Sequence, residues 1–306
     1  MKSKSVLISI VSVFGFLLLL QGCASSMVDF FRWLERYKTG VTEKVVQVGD
    51  HQIAYLEGGK GETVILLHGF GDQKDSWVKF ARPLTKTYRV IIPDLPGFGE
   101  SSKISSQRYD IETQLSRMAA FIEKVDAGKY HVAGNSLGGL LAGLLAVTSP
   151  DRVKSLALLD PYGIANREKS ELVKEIEKGV NPMIVEKPED YDRLLKFMFV
   201  HPPSLPGPVK KYLTAKMLEN KDFNKKVFNE LKGDTLLEER MAEIKVPTLV
   251  LWGDTDRVFP ASSARVLEQG IAGSKVVILK DCGHLPMTEK PEESSTYYVQ
   301  FLQTVH

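Results

Sequence analysis

The stretch Gly134-Asn135-Ser136-Leu137-Gly138 is the clearest chemical feature of this sequence. A serine hydroxyl is a weak nucleophile until it is held in place and a base takes its proton. G-x-S-x-G does the holding, because it sets the serine on a tight turn between a strand and a helix where bulkier residues would clash. Alone, the pentapeptide would arise by chance about 0.1 times in a chain of this length. Its surroundings make an idle serine a poor account: His131-Val132-Ala133 reads as the strand before it and Leu137 onward as an apolar helix after it. The start of that helix offers free N–H groups and a dipole that favours negative charge. The Leu137 N–H is then one donor to a tetrahedral oxyanion, and a second is expected from the loop after an earlier strand. His68-Gly69-Phe70-Gly71 follows the run Val64 to Leu67, and its glycines let backbone approach a substrate closely. The Phe70 N–H is the candidate.

A base and an acid must complete the set. A general base near neutral pH is most often histidine. His284, in Asp281-Cys282-Gly283-His284-Leu285-Pro286, follows the last apolar run, Val276 to Leu279. The other histidines have plainer readings: His68 precedes a turn, His51 sits in a hairpin, His131 in a strand, His201 among prolines and His306 at the end. For the acid, Asp254 and Asp256 compete after the run Thr248 to Trp252, and Asp160 ends the run Leu156 to Leu159. The order Ser136, Asp256, His284 matches a nucleophile, acid, base order used by serine hydrolases. Cys282 lacks the strand-turn-helix setting of a nucleophile and reads as a small buried residue. No cluster of metal ligands stands out.

The elements that must position these groups are legible as alternation. Val45 to Val48 and Gln52 to Leu56 flank Gly49-Asp50, a hairpin signal. Val64 to Leu67, Val90 to Ile92, His131 to Ala133, Leu156 to Leu159, Thr248 to Trp252 and Val276 to Leu279 are near-continuous apolar runs, as strands buried on both faces require. Ile111, Leu115, Met118, Ile122 and Val125 repeat at helical spacing, and Leu137 to Val147 is a second helix. Alternating strands and helices imply a parallel sheet covered by helices. The alternation stops from about 163 to 243, a charge-rich, helix-forming stretch with a Pro-rich turn from His201 to Pro208. It reads as a helical insertion.

Together these motifs resemble the α/β-hydrolase superfamily: His68 to Gly71, Asp94-Leu95-Pro96-Gly97-Phe98-Gly99-Glu100-Ser101, Gly134 to Gly139, Trp252 to Pro260 and Gly283 to Pro286 appear in family order from about residue 62 to 292. The resemblance implies an α/β-hydrolase fold, a mostly parallel central sheet flanked by helices with a helical cap. It places the acid on the second aspartate of Trp252-Gly253-Asp254-Thr255-Asp256, leaves Asp254 to the turn, makes the Asp94 to Ser101 loop structural and calls for no cofactor. Lys74, Asp75 and Trp77, with Asp160 to Gly163, look closest to bacterial lipases and monoacylglycerol-lipase-like esterases. The domains expected are a signal peptide over 1–22, a tether or amphipathic segment over 23–40, a core over 41–162 and 244–306, and a cap over 163–243.

The remaining signals concern location. Lys2 and Lys4, the apolar run Val6 to Leu20 and then Leu20-Gln21-Gly22-Cys23 describe an export signal, too short for a good membrane-spanning helix. Leu-x-Gly-Cys resembles the lipobox of bacterial lipoproteins, which implies cleavage before Cys23 and lipid on its sulfur; Ala24 in place of aspartate points by the same resemblance to the outer membrane. The alternative is plain secretion. Phe30, Trp33, Leu34 and Tyr37 share one helical face, which either packs on the domain or rests on lipid. The composition, 43% hydrophobic and 25% charged, is that of an ordinary globular chain, and a net charge of +2 without a basic cluster argues against nucleic acid as a partner. The expected activity is carboxylic-ester hydrolysis of lipid-like esters. Carbon–carbon bond hydrolysis with the same triad is the alternative, and a lipid-binding lipoprotein without catalysis would require a damaged triad or oxyanion loop. Serine at the nucleophile position argues against a dehalogenase or epoxide hydrolase, whose relatives carry aspartate there.

Overall fold

Short β-rich apolar runs, each closed by a turn, leave the chain little choice but a buried sheet. A computed structural model describes residues 24–165, 168–232 and 236–305. The strands are β1 (Val41–Val48), β2 (His51–Gly58), β3 (Thr63–Leu67), β4 (Arg89–Pro93), β5 (Tyr130–Asn135), β6 (Val153–Leu159), β7 (Thr248–Gly253) and β8 (Lys275–Leu279). They form one sheet in the order β1-β2-β4-β3-β5-β6-β7-β8. β1 and β2 are antiparallel with Val48 opposite His51, so Gly49-Asp50 is the two-residue turn between them. β2 pairs antiparallel with β4, and every later pairing is parallel. Residues of β5 and β7 are buried without exception. β8 departs from the expectation of burial on both faces: it is the edge strand, where helical cover runs out, and Ile278 is 47% exposed.

Helix Ile111–Lys124 starts where the Asp110 side chain accepts from the Thr113 N–H, and it buries Ile111, Met118 and Ile122. Helix Leu137–Thr148 is buried all round from Leu137 to Ala146, which accounts for its lack of a polar face. Between β6 and β7 lie the helices Glu171–Glu177, Asp190–Met198, Gly207–Glu219, Lys221–Leu231 and Leu236–Arg240. The Pro-rich turn ends sooner than its composition suggests. Gly207 and Pro208 already belong to a helix, since a first-turn proline lacks only an N–H the helix does not use. Two apolar clusters fill the two faces of the sheet, and a smaller third one joins Met183, Phe197, Met198 and Phe199 of the insertion to Val258.

Residues 1–23, and with them the expected signal and Cys23, lie outside the described residues. Residues 24–39 are helical. This helix is held to the domain by its polar side. Arg36 forks onto Asp75 at 2.6 and 2.7 Å, Arg32 reaches Gln73, Glu35 pairs with Arg82, and the Thr39 hydroxyl donates to the Val78 carbonyl. The aromatic side does not pack on the domain: Phe30, Phe31, Trp33 and Tyr37 are all more than half exposed.

Candidate active site

β5 delivers Ser136 to the C-terminal edge of the sheet with φ +55° and ψ −120°. Three main-chain bonds hold this conformation: Ser136 N–H donates to the Leu159 carbonyl, and the Ser136 carbonyl accepts from the Leu140 and Tyr162 N–H groups. The flanking glycines are there for space. A Cβ on Gly134 would collide with the Gly138 carbonyl, and one on Gly138 with the carbonyls of Leu67 and His68. Ser136 occupies the N-cap position of the following helix, yet its hydroxyl does not cap it, so Oγ stays available.

His284 Nδ1 lies 2.8 Å from Asp256 Oδ2, and both side chains are buried. A carboxylate accepts, so the Nδ1 proton points at Asp256 and the lone pair is on Nε2. Nε2 is buried without a hydrogen-bond partner among the described residues, and His284 and Ser136 line the same cavity. The other Asp256 oxygen, Oδ1, accepts from the Val258 and Phe259 N–H groups. Asp254 is exposed and ties the two loops together by accepting from the Thr255 hydroxyl and the Cys282 N–H. Of the three acids weighed from the sequence, Asp256 thus meets the histidine, Asp254 serves the loop, and Asp160 sits close behind, with its own ligand atom, Asp256's and His284's all within 4.8 Å of one another.

Phe70 and Leu137 flank Ser136 in a second, larger cavity. The loop that carries Phe70 is held by His68. Its Nδ1 meets the Gly69 carbonyl at 2.7 Å and its Nε2 accepts from the Leu95 N–H at 2.9 Å, a framework role. The Asp94 loop is equally structural: buried Lys74 bonds Asp94, Glu100 and Glu43 at once. Cys282 is buried and its thiol is pushed up by that burial, which makes it a poor nucleophile.

Two positioning groups escaped notice in the sequence. The Asn135 amide donates to both the Leu159 and His284 carbonyls, 3.1 and 2.9 Å away, so the residue beside the serine grips the histidine loop. The His284 N–H in turn donates to the Met198 carbonyl, which ties the insertion to the histidine. Asparagine at the variable position of G-x-S-x-G carries no signal of this, since the His284 carbonyl comes from 149 residues away.

The cavities are unequal. The larger, about 390 Å³, is walled by Phe70, Ile164, Leu172, Met183, Phe228 and Val258 among others. The smaller, about 200 Å³, is lined by Leu194, Leu195, Met198 and Phe199 on the insertion side. Also in the insertion, Phe197 packs in the third cluster, and Leu205 borders neither cavity.

Residues 62–194 and 204–291 match the family of the alpha/beta hydrolase fold, and the chain belongs to it. Among its relatives, Lipase 1 of Psychrobacter immobilis is 35% identical over 87% of this chain and 86% of its own. Monoacylglycerol lipase ABHD6 of Rattus norvegicus is 30% identical over 92% of this chain and 88% of its own. A crystal structure described as a membrane phospholipase A and bacterial virulence factor superposes with a TM-score of 0.92, at 42% identity and 98% coverage of both chains. With relatives of this kind along most of its length, the chain is a carboxylic-ester hydrolase.

Proposed function

We propose that this enzyme hydrolyses acyl esters of lipids through an acyl-enzyme on Ser136. His284 Nε2 takes the proton as Ser136 Oγ attacks the ester carbonyl, and Asp256 holds the imidazole and stabilises its charged form. The Phe70 and Leu137 N–H groups receive the oxyanion. The alcohol leaves with the proton from His284, which then activates water to release the acid. The observation that carries this reading is the unpartnered, buried Nε2 of an Asp256-bound histidine in the cavity that holds Ser136. The apolar 390 Å³ chamber beside it suits an acyl chain, and residues 163–243 act as the cap that supplies its outer wall. The core is then 41–162 and 244–306.

Location belongs to the same proposal. Lipid on Cys23 would hold the chain at a membrane, beside its substrate, without taking part in the chemistry. Among the described residues no helix is long and apolar enough to cross a membrane. In support, the stacked and tilted rings of Phe30, Trp33 and Tyr37, 5.6 to 5.9 Å apart, form an exposed strip directly after Cys23. Aromatic side chains favour the membrane–water boundary.

Labelling with a fluorophosphonate tests the chemistry. The label is expected on Ser136, and Ser136→Ala, His284→Ala and Asp256→Asn should each lower kcat roughly 10⁴-fold, while Asp254→Asn costs little. A label mapped to another residue, or turnover by Ser136→Ala, refutes the assignment.

A further inference from the structure

Two carboxyls, not one, stand behind His284. Asp160 follows β6 with φ +44°, in the left-handed region that few residues with a side chain adopt and that aspartate tolerates better than most. Its N–H donates to the Leu251 carbonyl and its Oδ1 accepts from the Gly253 N–H at 2.9 Å. The residue is 0% exposed, and its remaining oxygen, Oδ2, has no hydrogen-bond donor among the described residues. Asp256 is the reverse case, with the His284 proton on Oδ2 and two main-chain N–H groups on Oδ1. The titratable groups facing Asp160 are Asp256 on the β7 loop, His284 and Cys282 on the β8 loop, and Glu289 in the short helix beyond. Asp256 and Glu289 bring negative charge, and the Nδ1 proton of His284 is already committed to Asp256.

Two ionised carboxylates cannot share such a place cheaply. Burial first, and then the Asp256 charge, raise the Asp160 carboxyl well above the usual carboxylate range. A proton on Asp160 would sit where the orphaned oxygen can donate it. We infer that Asp160 is a positioning residue that, as the neutral acid, donates a hydrogen bond from Oδ2 to the Asp256 carboxylate and so holds that carboxylate against His284 Nδ1. The inference rests on Asp256 being the acid of the triad. It explains why a second acid is present without a second charge. An ionised Asp160 would keep the imidazole protonated and spoil it as a base, whereas a neutral donor aligns Asp256 and leaves one negative charge behind the ring. A metal ion would suit the same spacing, but it would have to take His284 Nδ1 from Asp256; a proton satisfies the orphaned oxygen with no bond broken.

The test uses the full chain with Asp160→Asn and Asp160→Ala, assayed on a short soluble ester across the pH range, with kcat expressed per folded molecule by circular dichroism. Asparagine can accept from Gly253 and donate to Asp256, so Asp160→Asn should keep kcat within a few-fold and leave the acid limb of the pH profile in place. Asp160→Ala should lose about 10–100-fold in kcat with KM little changed, as outer-shell partners do. Infrared difference spectra at neutral pH should show a protonated carboxyl in the wild type that Asp160→Asn lacks. An acid limb that moves down by a unit or more in Asp160→Asn means Asp160 is ionised and overturns the inference, as does a missing protonated carboxyl or full kcat in Asp160→Ala. Failure of the triad reading looks different: there Asp256→Asn stays active while Asp160→Asn is dead.

Discussion

Replacing Ser136 by glycine should make this enzyme inactive and more stable than replacing it by alanine. Both variants lack the hydroxyl, so they differ only in Cβ. At φ +55° and ψ −120° the Ser136 backbone lies where Cβ is penalised, and three main-chain bonds hold it there. A non-glycine residue in such a region costs about 1–3 kcal/mol. Alanine keeps that cost and glycine removes it. Against this, glycine frees the unfolded chain by about 0.4–1 kcal/mol. The glycine variant is therefore expected to exceed the alanine variant by about 1 kcal/mol, and by as much as ~2.6 kcal/mol. For a domain of this size, 1 kcal/mol moves Tm by about 2–4 °C. Urea unfolding and thermal melts of the two variants measure the difference without any contribution from catalysis. A glycine variant that melts at or below the alanine variant would show that the turn at Ser136 stores no strain, and the account of G-x-S-x-G as a strained turn would fall.

Asn135→Ala leaves the buried His284 carbonyl without its donor, while the Leu159 carbonyl keeps the Ser136 N–H, at a cost of about 1–3 kcal/mol in all. Net destabilisation of about 1–3 kcal/mol is expected, with a fall in kcat at steady KM; an unmoved urea midpoint and kcat would contradict the anchoring role. Met183→Trp and Phe228→Trp, on the wall of the larger cavity, should shift preference toward shorter acyl chains while the shortest esters still turn over, and identical chain-length profiles would reject that cavity as the acyl site. Phe30→Ser with Trp33→Ser should weaken vesicle binding of a Cys23→Ser chain and leave hydrolysis of soluble esters unchanged; equal binding would mean the strip does not meet lipid. Asp160 also makes stability depend on pH. Its folded state keeps a proton that the unfolded chain gives up above the ordinary value of 3.8, so wild-type stability is present below that value and declines as pH climbs toward the raised folded value. Asp160→Asn has no such proton, and its Tm advantage should grow from about pH 4 upward; a constant offset would count against the raised value.

The sheet was legible because each of its inner strands is a run of apolar residues closed by a turn, a local pattern that survives whatever packs on it. The Gly49-Asp50 hairpin and the helix after Ser136 were legible for the same reason. Edge status was not: Val276 to Leu279 looks as apolar as the central runs, and only the strand order places it where cover ends. The N-terminal helix shows the limit most plainly. Its periodicity revealed an aromatic face but not which side meets the domain. That was decided by Gln73, Asp75 and Arg82, some 40 to 50 residues away, which take the polar side and leave the rings in solvent.

At the site, residue types and local spacing singled out Ser136, His284 and a short list of acids as candidates, because a serine on a strand-to-helix turn and a histidine after the last strand are short-range features of turn chemistry. What it could not rank by itself was Asp160 against Asp254 and Asp256, since all three follow buried strands. Tertiary structure separated them. The loop after β7 turns Asp254 outward to hold Cys282 and Asp256 inward to His284, while β6, paired beside β7, brings Asp160 up behind both. The walls of the cavity were legible only in part: the insertion marked a segment with apolar residues such as Met183, but Ile164, Leu172 and Phe228 are ordinary apolar residues until the fold brings them to one cavity with Ser136. Residue type and local spacing specify which groups are able to react; the distances that make them act together are set by contacts between segments far apart in the chain.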